Sequence, residues 1–170
     1  GDMFMKCVEL VSNTRDETLR LGQILSKSFR AGDVICLSGD LGAGKTTFAK
    51  GIALGLGITD ADIVTSPTFV IMNIYAASIP IYHFDLYRID GAELVNLGYH
   101  DLRNTGVTLI EWGEKSIEIL DDCVQITLTF VGETTRKVSA TSNGRRSAEL
   151  LDKFYANLLN QNYVSIRGEA

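Results

Sequence analysis

Two periodicities of apolar residues run along this chain and predict both strands and helices. Residues 34–37 and 107–110 are short runs that are apolar at nearly every position, as in strands that are buried on both faces of a sheet. In residues 15–29 and 150–159 the apolar positions recur at helical spacing instead. The two patterns together predict an α/β protein.

Local signals mark where the first two helices begin and end. Thr14 and Glu17 have the S/T-x-x-E spacing of a capping box, and Gly32 follows the first helix as a stop signal. A second helix is predicted over residues 45–56, where Gly57 ends it. These signals bound two helices on either side of the first buried strand.

The remaining predicted elements complete the sheet and end in a helix. Strands are predicted over residues 4–11, 69–75, 79–85, 124–130 and 136–141, a short helix with a loop over 91–102, and a further helix over 114–120. The last two strands are joined as a hairpin at 132–135, and the strands at 69–75 and 79–85 form a second candidate hairpin. The apolar stripe at 150–159 predicts a terminal helix that docks on the domain; a helix that binds a partner is the alternative.

Composition and charge narrow the class of protein. The chain has 170 residues, of which 45% are hydrophobic and 22% are charged, and this fits one folded domain. Gly1 and Asp2 are interpreted as a remnant of cloning. The net charge of −5 provides no basic footprint for nucleic acid at the level of the whole chain. Any polyanionic ligand must therefore be held by a local site.

Cysteine spacing and hydropathy bear on the compartment. The three cysteines lack C-x-x-C spacing, which argues against a disulfide framework or a zinc site and favours a reducing compartment. Cys36 lies in an apolar run and is interpreted as a core residue. No targeting segment is recognised, and the longest apolar-rich stretch, residues 68–84, contains polar residues and a proline. We expect a cytoplasmic protein without a membrane span.

Residues 39–46, with the sequence GDLGAGKT, match the phosphate-binding pattern G-x-x-x-x-G-K-[ST] in full. The glycines permit positive φ and let backbone N–H groups face a phosphate, and the following helix adds its positive dipole end. Lys45 is expected to contact the β- and γ-phosphates, Thr46 to offer its hydroxyl to Mg²⁺, and Thr47 to assist at a phosphate oxygen. The nucleotide-contacting residues predicted from this loop are Gly39, Asp40, Leu41, Gly42, Ala43, Gly44, Lys45, Thr46 and Thr47.

The context of this motif predicts the fold. A buried strand precedes it and a helix follows it, which favours a P-loop over an ordinary strand–helix turn. We therefore expect a P-loop NTPase-like three-layer fold with a mixed, largely parallel central sheet. Residues 1–170 would form a single P-loop ATPase domain with a helical C-terminal tail over about residues 145–170.

Two acidic residues follow apolar strands, and the base-reading elements of a GTPase are missing. No asparagine is followed by lysine, and no D-x-x-G switch follows the middle strands, so ATP is favoured over GTP. Asp85 and Glu111 come at the ends of strands, where ligands bind in an open α/β sheet. A carboxylate at that place can hold Mg²⁺ or orient an attacking water; a structural acid at the end of a strand is the alternative.

Four ordered segments are together more specific than the P-loop alone. They are residues 38–48 (SGDLGAGKTTF), 65–69 (TSPTF), 83–88 (HFDLYR) and 110–112 (IEW). In order and content they resemble the P-loop, S-P-T-[FY], H-F-D-x-Y-R and E-W segments of the TsaE (YjeE) family, bacterial ATPases of tRNA threonylcarbamoyladenosine biosynthesis. The resemblance spans about residues 12–142.

The resemblance implies roles for the matching residues. Lys45, Asp85 and Glu111 would be catalytic, with Asp85 near the metal or the attacking water. Thr46 and Glu111 would be the Mg²⁺ ligands.

Further residues receive a role from the resemblance with a structural alternative beside it. Ser66 and Thr68 would lie in a switch-like loop that faces the γ-phosphate, or else in a β-turn with Pro67 at its second position. Trp112 resembles a family tryptophan beside the nucleotide, or else belongs to the core.

The adenine contacts are predicted by position. Thr14 and Arg15, before the first helix, and the hairpin at 132–136 are expected to flank the base. His83 is interpreted as a structural residue of its strand.

Three functions are compatible with these residues. The first is an ATPase, slow alone, that acts with the TsaD and TsaB proteins on tRNA, with tRNA reached through the complex. The second is a small-molecule kinase, for which Arg145 and Arg146 form the only arginine pair. The third is a nucleotide-gated binding module.

Overall fold

The computed structural model describes residues 7–40, 42–67, 72–87, 91–112, 120–161 and 166–169. The strands are β1 (Cys7–Ser12), β2 (Val34–Gly39), β3 (Met72–Tyr75), β4 (Ile81–Asp85), β5 (Val107–Glu111), β6 (Val124–Phe130), β7 (Arg136–Ser142) and β8 (Ile166–Glu169). The helices are α1 (Arg15–Ser26), α2 (Lys45–Gly55), α3 (Gly91–Asn96), α4 (Tyr99–Leu102) and α5 (Arg145–Asn160), with a 3₁₀ turn at Ala61–Ile63. The predicted helix at 114–120 lies outside the described residues except for its last position.

One mixed sheet holds the eight strands of the described residues, in the order β3-β4-β5-β2-β6-β7-β1-β8. The central strands β4, β5, β2 and β6 run parallel to one another, whereas the outer pairings are antiparallel. The prediction of a mixed α/β sheet is confirmed, and its parallel part is the centre of the sheet. Both predicted hairpins form, as β3-β4 and β6-β7.

Helices cover both faces of the sheet and produce the predicted three layers. On one face Leu21 of α1, Phe48 of α2 and Leu151 of α5 belong to a single buried apolar cluster. On the other face Leu94 of α3 and Tyr99 of α4 belong to a second cluster. Strand β2 contributes alternate side chains to the two clusters, because successive residues of a strand point to opposite faces. This double burial explains its apolar sequence.

The first helix begins at its predicted cap and ends earlier than predicted. The hydroxyl of Thr14 accepts a hydrogen bond from the Glu17 amide at 3.1 Å, and the Glu17 carboxylate accepts from the Asn13 amide at 2.6 Å. The helix ends at Ser26 rather than at residue 29 because the chain tightens into turns there: the Phe29 amide donates to the Ser26 carbonyl.

The C-terminal segment is a helix followed by a strand. Helix α5 buries Leu150, Leu151, Phe154 and Leu158 in the core, so its apolar stripe docks on the domain and is not a partner-binding face. The predicted helical tail over 145–170 is wrong at Ile166–Glu169, where β8 pairs antiparallel with β1. The open edge of β1 supplies the backbone groups for that pairing.

None of the helices in the described residues is long and apolar enough to cross a membrane.

Candidate functional site

The loop between β2 and α2 has the backbone that its glycines were predicted to allow. Gly39, Gly42 and Gly44 have φ values of 137°, 79° and 108°, in the region that favours glycine over other residues. At Gly39 a side chain would also collide with the sheet, since a Cβ there would lie 2.3 Å from the carbonyl oxygen of Leu128. Leu41 lies outside the described residues. The loop therefore depends on glycine for both conformation and space.

Helix α2 begins in this loop without a capping side chain. Gly44 is its N-cap and makes no side-chain capping hydrogen bond. The positive end of the helix dipole is thus left uncovered by any cap side chain, as at helix N-termini that bind phosphate.

Lys45 is the buried cation of the loop, with 6% of its surface exposed. Its Nζ donates hydrogen bonds to the carbonyl oxygens of Gly39 and Asp40, the latter at 3.4 Å. It also lies 4.0 Å from the ring centroid of Trp112, a cation–π contact. These carbonyl acceptors are neutral, so a phosphate oxygen would offer the ammonium a stronger, charge-assisted hydrogen bond.

The two predicted carboxylates lie side by side at the edge where the parallel strands end. Asp85 and Glu111 are register partners on β4 and β5, and their exposed fractions are only 3% and 2%. Asp85 accepts from the Ser66 hydroxyl at 3.2 Å and from the Tyr87 amide at 2.8 Å. Ser66 is thereby bonded to this carboxylate, and its contact with a γ-phosphate stays a prediction.

Glu111 accepts its hydrogen bond from a residue that the sequence analysis assigned to structure alone. His83 Nε2 lies 2.8 Å from Glu111 Oε2. On the other side of the ring, His83 Nδ1 lies 3.1 Å from the hydroxyl of Tyr75. Burial raises the pKa of Tyr75, and the hydrogen bond that its hydroxyl accepts from Asn73 opposes this.

Trp112 adopts a backbone conformation that is uncommon for a residue with a side chain. Its φ is 60°, which costs about 1–2 kcal/mol for a non-glycine residue, and its amide donates to the Leu37 carbonyl at 2.9 Å. The strained turn places the indole between Lys45 and the ring of Tyr87, whose centroid is 5.2 Å away. Trp112 is therefore a wall of the site as well as a neighbour of the core.

A cavity of about 380 Å³ brings these residues together. It is lined by Gly42, Gly44, Lys45, Thr46, Thr47, Ser66, Tyr87, Glu111 and Trp112. The predicted cation, both predicted Mg²⁺ ligands and the predicted tryptophan thus face one space. Asp85 is not among the described residues that line it; its carboxylate accepts a hydrogen bond from Ser66, which does. Thr68 lies outside the described residues.

A second cavity of about 300 Å³ adjoins the other side of the loop. It is lined by Arg15, Thr18, Gly42, Ala43, Gly44, Thr47, Glu133, Thr134 and Arg136. Arg15 and the hairpin after β6 are brought together here; that they flank a base stays a prediction. Arg136 is held over the Phe130 ring, with its Cζ 4.2 Å from the centroid. Thr14 instead caps α1. The glycine loop lies between the two cavities, and Gly42, Gly44 and, in the first turn of α2, Thr47 line both.

The family model described as "Threonylcarbamoyl adenosine biosynthesis protein TsaE" matches residues 12–138. The chain belongs to the TsaE family. A TsaE protein of Treponema pallidum is 37% identical over 138 residues, which cover 79% of this chain and 98% of that protein. A TsaE protein of Bacillus subtilis is 40% identical over 141 residues, covering 81% and 87%. The crystal structure of Bacillus subtilis YdiB aligns with a TM-score of 0.75 at 33% identity, covering 91% of this chain and 98% of that one.

Three of the four TsaE-like segments meet at one edge of the sheet through their described residues. The P-loop follows β2, and the H-F-D and E-W segments are the ends of β4 and β5. The S-P-T segment joins them through Ser66. The sequence analysis missed Tyr75 and Asn73, which support His83 from β3. No motif marks them, and only the β3-β4 register brings them under the site.

Proposed function

We propose that this TsaE protein is a Mg²⁺-dependent ATPase that supports tRNA threonylcarbamoyladenosine biosynthesis. The observation that carries the proposal is the shared cavity of Lys45, Thr46 and Glu111, one wall of which is the glycine loop. A cation, a hydroxyl and a carboxylate beside a helix N-terminus are the groups that bind a triphosphate and its metal ion in P-loop proteins.

The residues that line the cavity fit a magnesium ion. Thr46 and Glu111 supply oxygen ligands, which Mg²⁺ prefers, and both face the same space. Over the described ranges of the chain, no group of three or more His, Cys, Asp or Glu side chains could enclose a metal ion. This suits Mg²⁺, which is usually bound by one or two protein oxygens together with substrate phosphates. When bound, the ion would neutralise charge on the β- and γ-phosphate oxygens.

Lys45, Asp85 and Ser66 would have separate roles in hydrolysis. Lys45 would exchange its carbonyl contacts for the β- and γ-phosphates. Asp85, buried and held by Ser66 and the Tyr87 amide, would orient the attacking water at the γ-phosphate. Ser66, which faces the cavity, would contact the γ-phosphate and transmit its presence to the loop at 65–67.

The second cavity would accept the nucleoside. Arg15 and Arg136 line its walls and offer planar cations to a purine. Because both cavities share Gly42, Gly44 and Thr47, one nucleotide could span them with its phosphates over the loop.

The proposal includes a dependence on the TsaD and TsaB proteins. No arginine lines the cavity that holds Lys45 and Glu111 in the described part of the chain, so we expect slow hydrolysis by this protein alone. Its net charge of −5 also disfavours independent capture of tRNA. A small-molecule kinase is less well supported, because Arg146 is bonded to Asp33 at the amino end of β2, away from the loop.

The test is release of phosphate from ATP with Mg²⁺, tRNA, TsaD and TsaB, each omitted in turn. Slow turnover alone and faster turnover with the two partners would support the proposal. Transfer of the γ-phosphate to a small metabolite, without response to the partners, would contradict it. Asp85→Asn in the same assay measures the share of the second carboxylate.

A further inference from the structure

Behind Glu111 lies a buried chain of hydrogen bonds that the reaction described above does not use. His83 is fully buried, and its Nε2 is 2.8 Å from the Glu111 carboxylate. Tyr75, also buried, places its hydroxyl 3.1 Å from His83 Nδ1. Asn73 Nδ2 donates to that hydroxyl at 3.3 Å. Three side chains of β3 and β4 therefore end on one carboxylate of β5.

The chemistry of these groups gives the chain a direction. An ionised carboxylate can only accept, so His83 Nε2 must donate to Glu111. In a neutral imidazole the other nitrogen is then an acceptor, and the Tyr75 hydroxyl is placed to donate to it. Asn73 donates to the hydroxyl oxygen in turn. Each group thus fixes the orientation and tautomer of the next.

The residues of this chain of hydrogen bonds are held on paired strands of the sheet. Asn73 and His83 are register partners on β3 and β4, and β4 pairs directly with β5. The rings of Tyr75 and His83 pack with their centroids 5.9 Å apart. A carboxylate held from neighbouring strands keeps one rotamer, which preorganises it for a ligand.

The Tyr75 hydroxyl also lies within reach of the loop that carries Ser66. The carbonyl of Thr65 is 3.3 Å away, and the single hydroxyl proton can serve either that oxygen or His83. When the proton is donated to Thr65, His83 Nδ1 loses that donor.

We propose that His83 and Tyr75 are positioning residues that orient Glu111 toward the metal ion. This inference rests on the proposed function, since it assumes that Glu111 binds Mg²⁺ beside a nucleotide. Both residues would act through Glu111 and would not contact the substrate.

The experiment measures metal affinity apart from turnover. Mn²⁺ is titrated into the full chain saturated with a β,γ-imido analogue of ATP and followed by electron paramagnetic resonance, with Mg²⁺ as competitor. Affinity for the same analogue without divalent ions is measured by calorimetry. The variants are His83→Met, which removes the donor, His83→Gln, which restores one near Nε2, and Tyr75→Phe.

Tyr99→Phe is the matched control. Tyr99 is equally buried in the same protein, but its hydroxyl has no hydrogen-bond partner within the described residues. It lies in the cluster on the face of the sheet that α3 and α4 cover. Its loss should leave the metal site unchanged.

We expect His83→Met to weaken Mn²⁺ binding about 10- to 100-fold, the usual effect of losing the partner of a ligand. His83→Gln should recover most of that loss, and Tyr75→Phe should weaken binding less, in the same direction. Affinity for the metal-free nucleotide should be the same in all variants.

Wild-type Mn²⁺ affinity in His83→Met or in Tyr75→Phe would overturn the inference. Equal losses with and without metal would overturn it too, because they would indicate a general structural role. If His83→Met does not fold, Tyr75→Phe decides, since it removes a single oxygen atom. If the wild-type protein with bound analogue binds Mn²⁺ no more tightly than the free analogue does, the proposed function is overturned instead.

Discussion

Two cations, the half-buried Arg146 and the buried Lys45, lie beyond opposite ends of β2 and are held in different ways. Arg146 forms two hydrogen bonds with the Asp33 carboxylate, at 2.9 and 3.0 Å, and a third with the Ser28 carbonyl. The carbonyls that hold Lys45 belong to its own loop, and its ammonium also faces a cavity. One cation is enclosed by structure, and the other faces the cavity where we propose that the phosphates bind.

The difference separates stability from function. The hydrogen bond to Asp33 raises the pKa of Arg146, and Asp122 accepts from the amides of Arg146 and Ser147 at the start of α5. All of these contacts join groups of the protein to one another, so they contribute to its stability. At the other end of β2, backbone carbonyls of the loop accept from Lys45, and the ammonium and the carboxylate of Glu111 line the same cavity.

The largest effect is expected from breaking the ion pair of Asp33 and Arg146, the enclosed pair. Asp33→Ala removes the bidentate carboxylate and leaves the guanidinium with the more exposed Glu149, which is 3.3 Å away. We expect the free energy of unfolding to fall by about 3 kcal/mol, near the lower end for a broken buried pair because Arg146 is partly exposed. Urea denaturation measures the change, and nucleotide affinity should be retained by the folded variant.

The matched control for Asp33→Ala is an exposed ion pair. Lys137 and Glu9 lie 3.7 Å apart, with side chains 50% and 34% exposed, and Lys137→Ala should change the unfolding free energy by less than about 1 kcal/mol. Equal losses in the two variants would remove the distinction between the enclosed pair and an ordinary surface contact.

Lys45→Ala should have the opposite profile. The loop loses the cation that faces the phosphates, so affinity for an ATP analogue should fall at least ~10²-fold, about 2.7 kcal/mol, while stability changes little. Calorimetric titration checks this. Lys50→Ala is the control on the same helix, because Lys50 pairs with Asp62 at 3.7 Å instead of lining the cavity. Unaltered binding by Lys45→Ala would reject the phosphate site.

Glu111→Gln separates binding from hydrolysis. It keeps the shape of the side chain and removes its charge, so nucleotide should still bind while Mg²⁺-dependent turnover falls about 10²-fold, the scale for one catalytic polar group. Glu149→Gln is the control, since Glu149 contacts Arg146 at the enclosed pair. Normal turnover by Glu111→Gln would reduce that residue to a structural acid at a strand end.

The sequence predicted the phosphate loop because local chemistry determines it. Gly39, Gly42 and Gly44 need positive φ, and Lys45 must follow at the helix start, so the motif carries its own geometry. Buried strands were recognised for a similar reason, since double burial leaves an apolar run. Their order in the sheet brought Asp85 beside Glu111, as expected for parallel strands that end at one edge.

The support of Glu111 could not be predicted in the same way. Tyr75 and His83 belong to neighbouring strands whose register is set by pairing across the sheet, and a lone strand histidine carries no local signal of its partner. The strand β8 was missed because a four-residue segment becomes a strand only through the edge that it finds on β1. The enclosed pair of Asp33 and Arg146 likewise joins residues that are distant in sequence.

The smallest effect concerns Tyr99, a buried residue whose hydroxyl has no hydrogen-bond partner within the described residues. Burial raises the pKa of Tyr99 to about 12 from the usual 10.0. The unfolded chain therefore releases this proton near pH 10, while the folded protein retains it to about pH 12. The stabilisation is complete below pH 10 and is lost as pH rises through 12, with a difference in unfolding free energy of about 1.4 kcal/mol at pH 11.

Urea denaturation at pH 9, 10 and 11 should show wild type losing more stability than Tyr99→Phe across this window, and subtracting the two removes the contributions of other groups. Parallel losses in the two proteins would mean that Tyr99 ionises as readily in the folded protein as in the unfolded chain. Burial of its hydroxyl would then not shift its pKa.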